Sequence, residues 1–317
     1  MLPLLNSFVA RFWPLSSGTV GLGISGDWLV VVRAERTAEG HHITHLAQER
    51  LPFMPFQAEN PRAEDSLALA QAIQRLAIAV PQKHWPLQIA LPDPAAIFQV
   101  MKFDSLPGTE RERAAIARFR LEKEWPAVTE MECTTQVLNE EAGQNLMLAL
   151  AVQRSWLDCL RDACRSAGWV PNVIDIAVNH IFNRIHDSIC ETKGDGALIL
   201  IEADSWSVLL WDHTHRPRFV RSRWRDGGDE NKADYEIVAK DVERLVRAYV
   251  LAETGRKIEK VYLSATEDEG AEFSKYLDAR MRVPCVYFNM TKEFTVATGV
   301  PIQHIAPGVL AAAVSRL

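Results

Sequence analysis

The stretch of this chain best equipped to hold a ligand is VGLGISGDWLVVV, residues 20–32. Gly21, Gly23 and Gly26 crowd one short segment, with Ser25 beside them and Asp27 as its single charge. Backbone N–H groups in a glycine turn can converge on a phosphate, and a carboxylate beside them can hold magnesium, which takes hard oxygen ligands. The same pattern also suits a plain hairpin, because glycine supplies the positive φ that tight turns need. Both readings stand at this level.

Other residue groups invite chemistry and are weaker. His41, His42 and His45 suggest a metal, but residues 42 and 45 of a strand point to opposite faces, so an exposed turn is the favoured reading. His213 and His215 lie in the turn DHTHRP and lack a recognisable fourth ligand. Arg218, Arg221, Arg223 and Arg225 alternate along one segment. They suit either a phosphate or an acidic partner, or simply a solvated outer strand, which is favoured. Asp175 is a candidate polar group at a hinge, with helix capping the favoured alternative. Cys133, Cys159, Cys164, Cys190 and Cys285 are odd in number and irregularly spaced, so neither a disulfide framework nor a zinc pattern emerges. No Ser-His-Asp or Cys-His arrangement is readable. Neither a catalytic residue nor a metal site is assigned.

The 317 residues suggest two domains or one large two-lobed one. With 48% hydrophobic and 24% charged residues, the composition is that of a soluble globular protein. A net charge of −6 argues against a general nucleic-acid surface. No apolar run reaches the ~18 residues that a membrane span requires. The first residues, MLPLLNSFVARFWPL, lack the basic start and the cleavage site of a signal peptide. Leu5, Phe8, Val9 and Phe12 would share a helical face able to dock or graze a membrane, with a self-packed terminus the favoured alternative. The chain reads as cytoplasmic.

Strands are expected at 19–33 and 42–50, helix at 64–80, and strands at 86–91 and 97–103. A helix capped by Thr109 and stopped by Pro126 follows, then strands at about 132–138 and 145–152, helix 153–167, strand 170–177 and helix 178–188. The polar stretch ETKGDG, 191–196, reads as a boundary. The pattern then restarts with strands at 197–203, 207–212 and 217–224, helix 234–253, strand 260–265, helix 269–280, strand 283–288 and an apolar helix over 306–317. Each half opens on a glycine or acidic hairpin. This weak duplication implies two similar α/β lobes around a cleft.

Four segments carry a family resemblance: VGLGISGDWLVVV; QIALPDPAAIFQVMKF with the helix ending LEKEWP; LIEADSWSVLLWDHTHRPRFVRSRWRDGG; and IEKVYLSATEDEGAEFSKYLDARMRVPCVYF. The chain end, APGVLAAAVSRL, adds a fifth. Together they resemble the actin-like ATPase superfamily, and more narrowly the PilM-type proteins of type IV pilus assembly, whose relatives include MshI and the cytoplasmic part of GspL. The implied fold is α/β: an actin-like, RNase H-like duplicated two-lobe fold with a small α+β subdomain inserted in the first lobe. The resemblance implies a first lobe over 19–190 with the insertion at about 93–165, a second lobe over 195–305, and a C-terminal helix, 306–317, packing back on the first lobe.

In that superfamily the two lobe hairpins clamp phosphates, an Asp in each holds magnesium, and a Gly-Gly lets backbone approach the adenosine. Here Gly23 stands where the first acid is expected and Ser25 where a glycine is, with Gly26 following and Asp27 displaced beyond the turn. In the second hairpin Glu202 takes the acidic position and Asp204 falls where glycine should meet phosphate, with Gly227 and Gly228 after the return strand. Ala265 and Thr266 replace the Gly-Gly near adenosine. The resemblance therefore implies a degenerate nucleotide site and no expected cofactor. The function implied is a non-catalytic cytoplasmic adaptor, peripheral to the inner membrane, in a type IV pilus, MSHA-like or type II secretion complex. The alternative is a divergent actin-fold ATPase that binds Mg-ATP between the lobes. PilM-like proteins receive an N-terminal peptide of a PilN-like membrane protein in a groove beside the inserted subdomain. Phe98, Met101, Phe103, Phe119 and Trp125 are the side chains expected there. Other assembly proteins are further partners, and the membrane is met only through partners or the N-terminal segment.

Overall fold

The computed structural model describes residues 18–38, 40–80, 85–141, 144–191, 193–225, 231–252, 257–281, 283–296 and 305–314. The apolar N-terminal segment, Gly227 and Gly228 lie outside the described residues.

The chain opens with β1 (Gly18–Ser25), β2 (Trp28–Thr37) and β3 (Gly40–Arg50), an antiparallel meander. Helix α1 (Ala63–Ala79) follows, then β4 (Leu87–Leu91), whose five buried residues form an all-apolar-but-one strand beside β1, parallel to it. Next come β5 (Ala96–Phe103), α2 (Glu110–Glu124), β6 (Met131–Glu141) and β7 (Gln144–Gln153). Helix α3 (Arg154–Ser166), β8 (Pro171–Ile176) and α4 (Ala177–Cys190) complete the first half. The second half runs β9 (Asp195–Ile201), β10 (Ser205–Trp211), β11 (Pro217–Trp224), α5 (Asn231–Ala252), β12 (Ile258–Ser264), α6 (Glu267–Arg280) and β13 (Cys285–Tyr287). Strand β14 (Phe294–Val296) and the short helix α7 (Pro307–Ala312) end it.

Two sheets repeat one topology. The first has the order β14-β3-β2-β1-β4-β8 and the second β11-β10-β9-β12-β13. In each, an antiparallel three-strand meander is continued by two parallel strands. Strand β9 is buried along its whole length, because α4 packs on one face of it and α5 and α6 cover the other. Both-face burial is what selects its near-continuous apolar run, GALILI. Helix α4 thus lies between the lobes, with Phe182 against Trp211 at 5.7 Å between ring centroids. The third sheet, β5-β7-β6, carries α2 on one face around Met101, Ala117, Leu121 and Met147.

Four expectations need correction. His41, His42 and His45 sit inside β3 rather than in a turn. Thr44 is squeezed out as a bulge between the pairs Ala34–Ile43 and Arg33–His45, and His42 Nδ1 pairs with the Thr295 hydroxyl at 2.9 Å. Helix α3, expected inside the inserted subdomain, joins the first-lobe core through Trp156, Leu157 and Leu160. Its amphipathic spacing says that one face is buried, not against which sheet. Strand β14 falls within 195–305 yet pairs with β3 in the first sheet. Finally, the boundary stretch 191–196 already contains the start of β9, where buried Asp195 accepts from the Tyr249 hydroxyl at 2.8 Å.

Candidate functional site

The β1–β2 connection is a two-residue turn of Gly26 and Asp27, with Ser25 opposite Trp28. Gly26 takes φ 59°, which a two-residue hairpin requires and which glycine adopts without strain. Asp27 therefore lies in the turn, not beyond it. It is turned outward to Arg50, at 2.6 Å, and its carbonyl accepts from the Leu51 amide.

Gly21 and Gly23 serve another purpose. A Cβ on Gly23 would lie 2.0 Å from a Val309 methyl, and one on Gly21 would lie 2.6 Å from the Ala313 amide nitrogen. Their bare backbone lets α7 close onto β1. The glycines flank a helix contact rather than an open loop. Ser25 is buried at the end of β1.

The second hairpin turn comprises residues 202–205, where the Glu202 amide donates to the Ser205 carbonyl at 2.9 Å. It meets the first turn directly: a Cβ on Gly26 would lie 3.9 Å from the Asp204 Cβ. Burial pushes the Asp204 carboxyl above its ordinary value, opposed by the Gly26 amide and by Arg225. Glu202 is also buried, and its Oε1 accepts from the Gly308 amide of α7 at 3.1 Å. Burial, with Asp93 and Asp204 close by, holds its carboxyl well above the usual range. Gly308 has no room for a side chain, since a Cβ would sit 2.5 Å from that of Ala177.

Asp93 joins these acids from the turn after β4. Its Oδ1 accepts from the Val178 amide at the start of α4 at 2.8 Å. Burial pushes it up to about 7, with Ser207 and the Val178 amide pulling down and Asp175 and Asp204 adding to the rise. Three buried carboxyls therefore meet between the lobes. The cation beside them is Arg225, whose side chain is only 4% exposed. It reaches the Glu202 carbonyl and the Glu269 carboxylate, each at 2.8 Å, and stands over the Tyr235 ring. Glu269 belongs to the first turn of α6 and also accepts from the Thr266 hydroxyl at 3.0 Å. Thr266 and buried Ala265 are tied by their carbonyls to the Tyr287 hydroxyl.

Sequence reasoning missed Asp93, Glu269 and Gly308 in this cluster. LPDPA reads as a turn, and nothing local says that the turn docks on the opposite lobe. The arginine row is likewise no stripe. Arg218 is buried on Asp212, Arg225 is buried on Glu269, and Arg223 pairs with Asp241 at 3.0 Å. Asp212 also organises the DHTHRP turn, accepting from the Thr214 amide at 2.8 Å, with His215 at φ 60°. Among the described residues, no group of three His, Cys, Asp or Glu side chains is arranged to hold a metal ion.

The five side chains expected in a peptide groove are dispersed. Met101 and Phe103 are buried in the subdomain's own core, and Trp125 packs against it. Phe119 is 62% exposed on α2, beneath Lys123. Phe98 lies on the other face of the sheet, with Leu138, Leu146 and Leu148. Strand alternation explains the split, because residues 98 and 101 differ by an odd number and must face opposite ways. A pocket does open beside that other face. Thr134, Gln136, Leu148 and Leu150 form one wall, and Asp175, Asn179, Phe182 and Asn183 of the β8–α4 segment form the other.

With the lobes, hairpins and insertion described, comparison is informative. The chain superposes on the PilM–PilN type IV pilus biogenesis complex with a TM-score of 0.70, at 20% identity, covering 95% of this chain and 98% of that one. A Bacteroides thetaiotaomicron protein with an actin-like ATPase fold and unknown function gives a TM-score of 0.54 at 9% identity, over 93% of this chain and 96% of that one. The fold is actin-like. The expected resemblance to PilM-type proteins therefore holds in three dimensions. No family model matches the sequence, and no curated protein matches it significantly.

Proposed function

We propose that this chain is a non-catalytic adaptor of an inner-membrane assembly complex, of the type IV pilus or type II secretion kind. It would work at the cytoplasmic face and capture an extended N-terminal peptide from a PilN-like membrane protein. The observation that carries the reading is the contact between the two hairpin turns. In an actin-like fold these turns flank the phosphates. Here a carboxyl of this chain, Asp204, stands against the Gly26 turn, with its Oδ1 buried and without a hydrogen-bond partner. A phosphate entering at that point would meet the Asp204 carboxyl, an arrangement that repels rather than cradles it. Val309 fills the space over Gly23, and Glu202 is engaged by Gly308. These residues do not fit Mg-ATP.

Peptide capture is supported by the pocket between the inserted sheet and α4, and by the likeness over almost the full chain to a protein solved with PilN. No helix among the described residues is long and apolar enough to cross a membrane, so contact with the membrane would pass through such a partner or the N-terminal segment.

Two measurements test the proposal. Millimolar Mg-ATP should leave the melting temperature unchanged, whereas a ligand at a hundred times its dissociation constant adds about 2.7 kcal/mol. A clear shift would favour the ATPase alternative. A peptide comprising the cytoplasmic N-terminus of the PilN-like protein from the same genome should bind the wild type. It should bind at least about tenfold more weakly to Thr134→Trp, which plugs the pocket from a half-buried position. Absence of wild-type binding at high micromolar peptide would remove the proposal.

A further inference from the structure

Asp175 has a place in the fold that helix capping does not explain. It ends β8 beside the start of α4, and both of its hydrogen bonds fall on one oxygen. Oδ1 accepts from the Ile176 amide at 2.8 Å and from the Asn179 side-chain amide at 2.9 Å. These bonds fasten the β8–α4 junction, although α4 itself starts without a side-chain cap. The second oxygen takes neither bond, and Asp175 lines the pocket between the inserted sheet and α4. It is the single ionisable side chain among the residues that line it.

The opposite wall supplies a matching acceptor. Gln136, in register with Leu148 on β7, faces the pocket, and its Oε1 is buried without a hydrogen-bond partner. A buried acceptor left unpaired is unfavourable by about 1–3 kcal/mol, so a ligand donor would be welcome there. The walls combine apolar Leu148, Leu150, Phe182 and Pro217 with Thr134, Thr135, Asn179 and Asn183. The cavity measures about 30 Å³, room for a group the size of a water, which needs roughly 10–15 Å³.

From this we infer that the pocket is an anchor for one primary ammonium group, accepted by the Asp175 carboxylate and Gln136 Oε1, with its methylene stem along Leu148, Leu150 and Phe182. The inference rests on the peptide-capture reading above and names the feature of the peptide that the site selects. A lysine side chain and a free α-amino terminus share this chemistry, since both are charged at neutral pH. Burial raises the Asp175 carboxyl, against the pull of His180 and Asn179. An ammonium would add a full positive charge beside this half-buried acid. The apolar wall residues suit a lysine stem, which buries its methylenes readily.

The test uses the full chain and the same N-terminal peptide in three forms: unmodified, N-acetylated, and with each lysine replaced by norleucine. Binding should weaken by roughly tenfold or more for whichever form loses the anchoring ammonium, as expected for one charge-assisted hydrogen bond. N-acetylation and norleucine replacement distinguish the two sources. Asp175→Asn keeps an oxygen for the Ile176 amide and Asn179, so the helix start is preserved. It should bind the unmodified peptide as weakly as wild type binds the ammonium-free form, with little further loss between the forms. Gln136→Leu should weaken binding in the same direction. Equal affinity of wild type for all three forms, or wild-type affinity in a folded Asp175→Asn, overturns the ammonium anchor and leaves peptide capture standing. No binding of any form overturns both.

Discussion

Gly23 offers the sharpest test of what the glycine-rich hairpin is for. If its glycine serves a phosphate, alanine there should leave stability alone. In the structure, the new Cβ would lie 2.0 Å from a Val309 methyl, where carbon atoms prefer about 3.5–4.0 Å. Overpacking of this kind destabilises by about 1–3 kcal/mol. Val309→Ala alone removes two buried methyl groups, about 1.6 kcal/mol of transfer energy at ~0.8 each, plus a cavity contribution, or roughly 2 kcal/mol altogether. Independent effects would sum to roughly 3–5 kcal/mol. The double variant Gly23→Ala/Val309→Ala should instead lose only about 2, because the alanine methyl occupies the space left by the valine. The coupling energy is then about 1–3 kcal/mol. Gly21 is the control. Its clash is with the backbone of α7, at the Ala313 nitrogen and the Val309 oxygen, so truncating the Val309 side chain should not rescue Gly21→Ala. Urea unfolding followed by tryptophan fluorescence measures all five variants, provided that the m-value stays constant. A neutral Gly23→Ala, or strict additivity of Gly23→Ala with Val309→Ala, would refute the helix-packing account.

The interlobe acids predict a pH dependence. Asp93 rises from 3.8 to about 7 on folding, so its contribution is fully favourable below about pH 4 and is lost as pH climbs to about 7. At 1.36 kcal/mol per unit this is an effect of roughly 4 kcal/mol at most. Asp93→Asn should gain stability relative to wild type between pH 4 and 8 in denaturant titrations, and a pH-independent difference would contradict the burial argument. Arg225→Met should be strongly destabilising, by roughly 3–5 kcal/mol in urea unfolding, because it strands buried acid without its cation. Arg225→Lys should recover only part of that: Nη1 alone makes both bonds, to the Glu202 carbonyl and to Glu269, so an ammonium can take them over, but the planar guanidinium over the Tyr235 ring is lost.

Local pattern carried much of the fold. The apolar runs of β9 and β10, the Thr109 cap of α2 and the Gly26 turn announce themselves because each obeys a short-range rule. Thr109 indeed exchanges bonds with Glu112 as a capping box. The actin-like arrangement came from resemblance spread along the chain, and the repeated sheet topology agrees with it. The site was less legible. Gly23, Glu202 and Asp204 are visible as residues, but whether a glycine bares backbone for a ligand or for a helix depends on what arrives from nearly three hundred residues away. Alternation along β5 could have separated Phe98 from Met101 and Phe103. No rule of spacing could have shown which face meets α4.

The sequence by itself determined the elements and the duplicated two-lobe plan, because strand alternation, caps and turns are settled by neighbours a few residues apart. Only the tertiary structure decided what the two hairpin turns meet. Asp204 against Gly26, Val309 over Gly23, Glu202 on Gly308 and Arg225 on Glu269 each join residues remote in sequence. Such pairings form only when burial brings opposite lobes together, where each buried polar group must find a partner or shift its protonation.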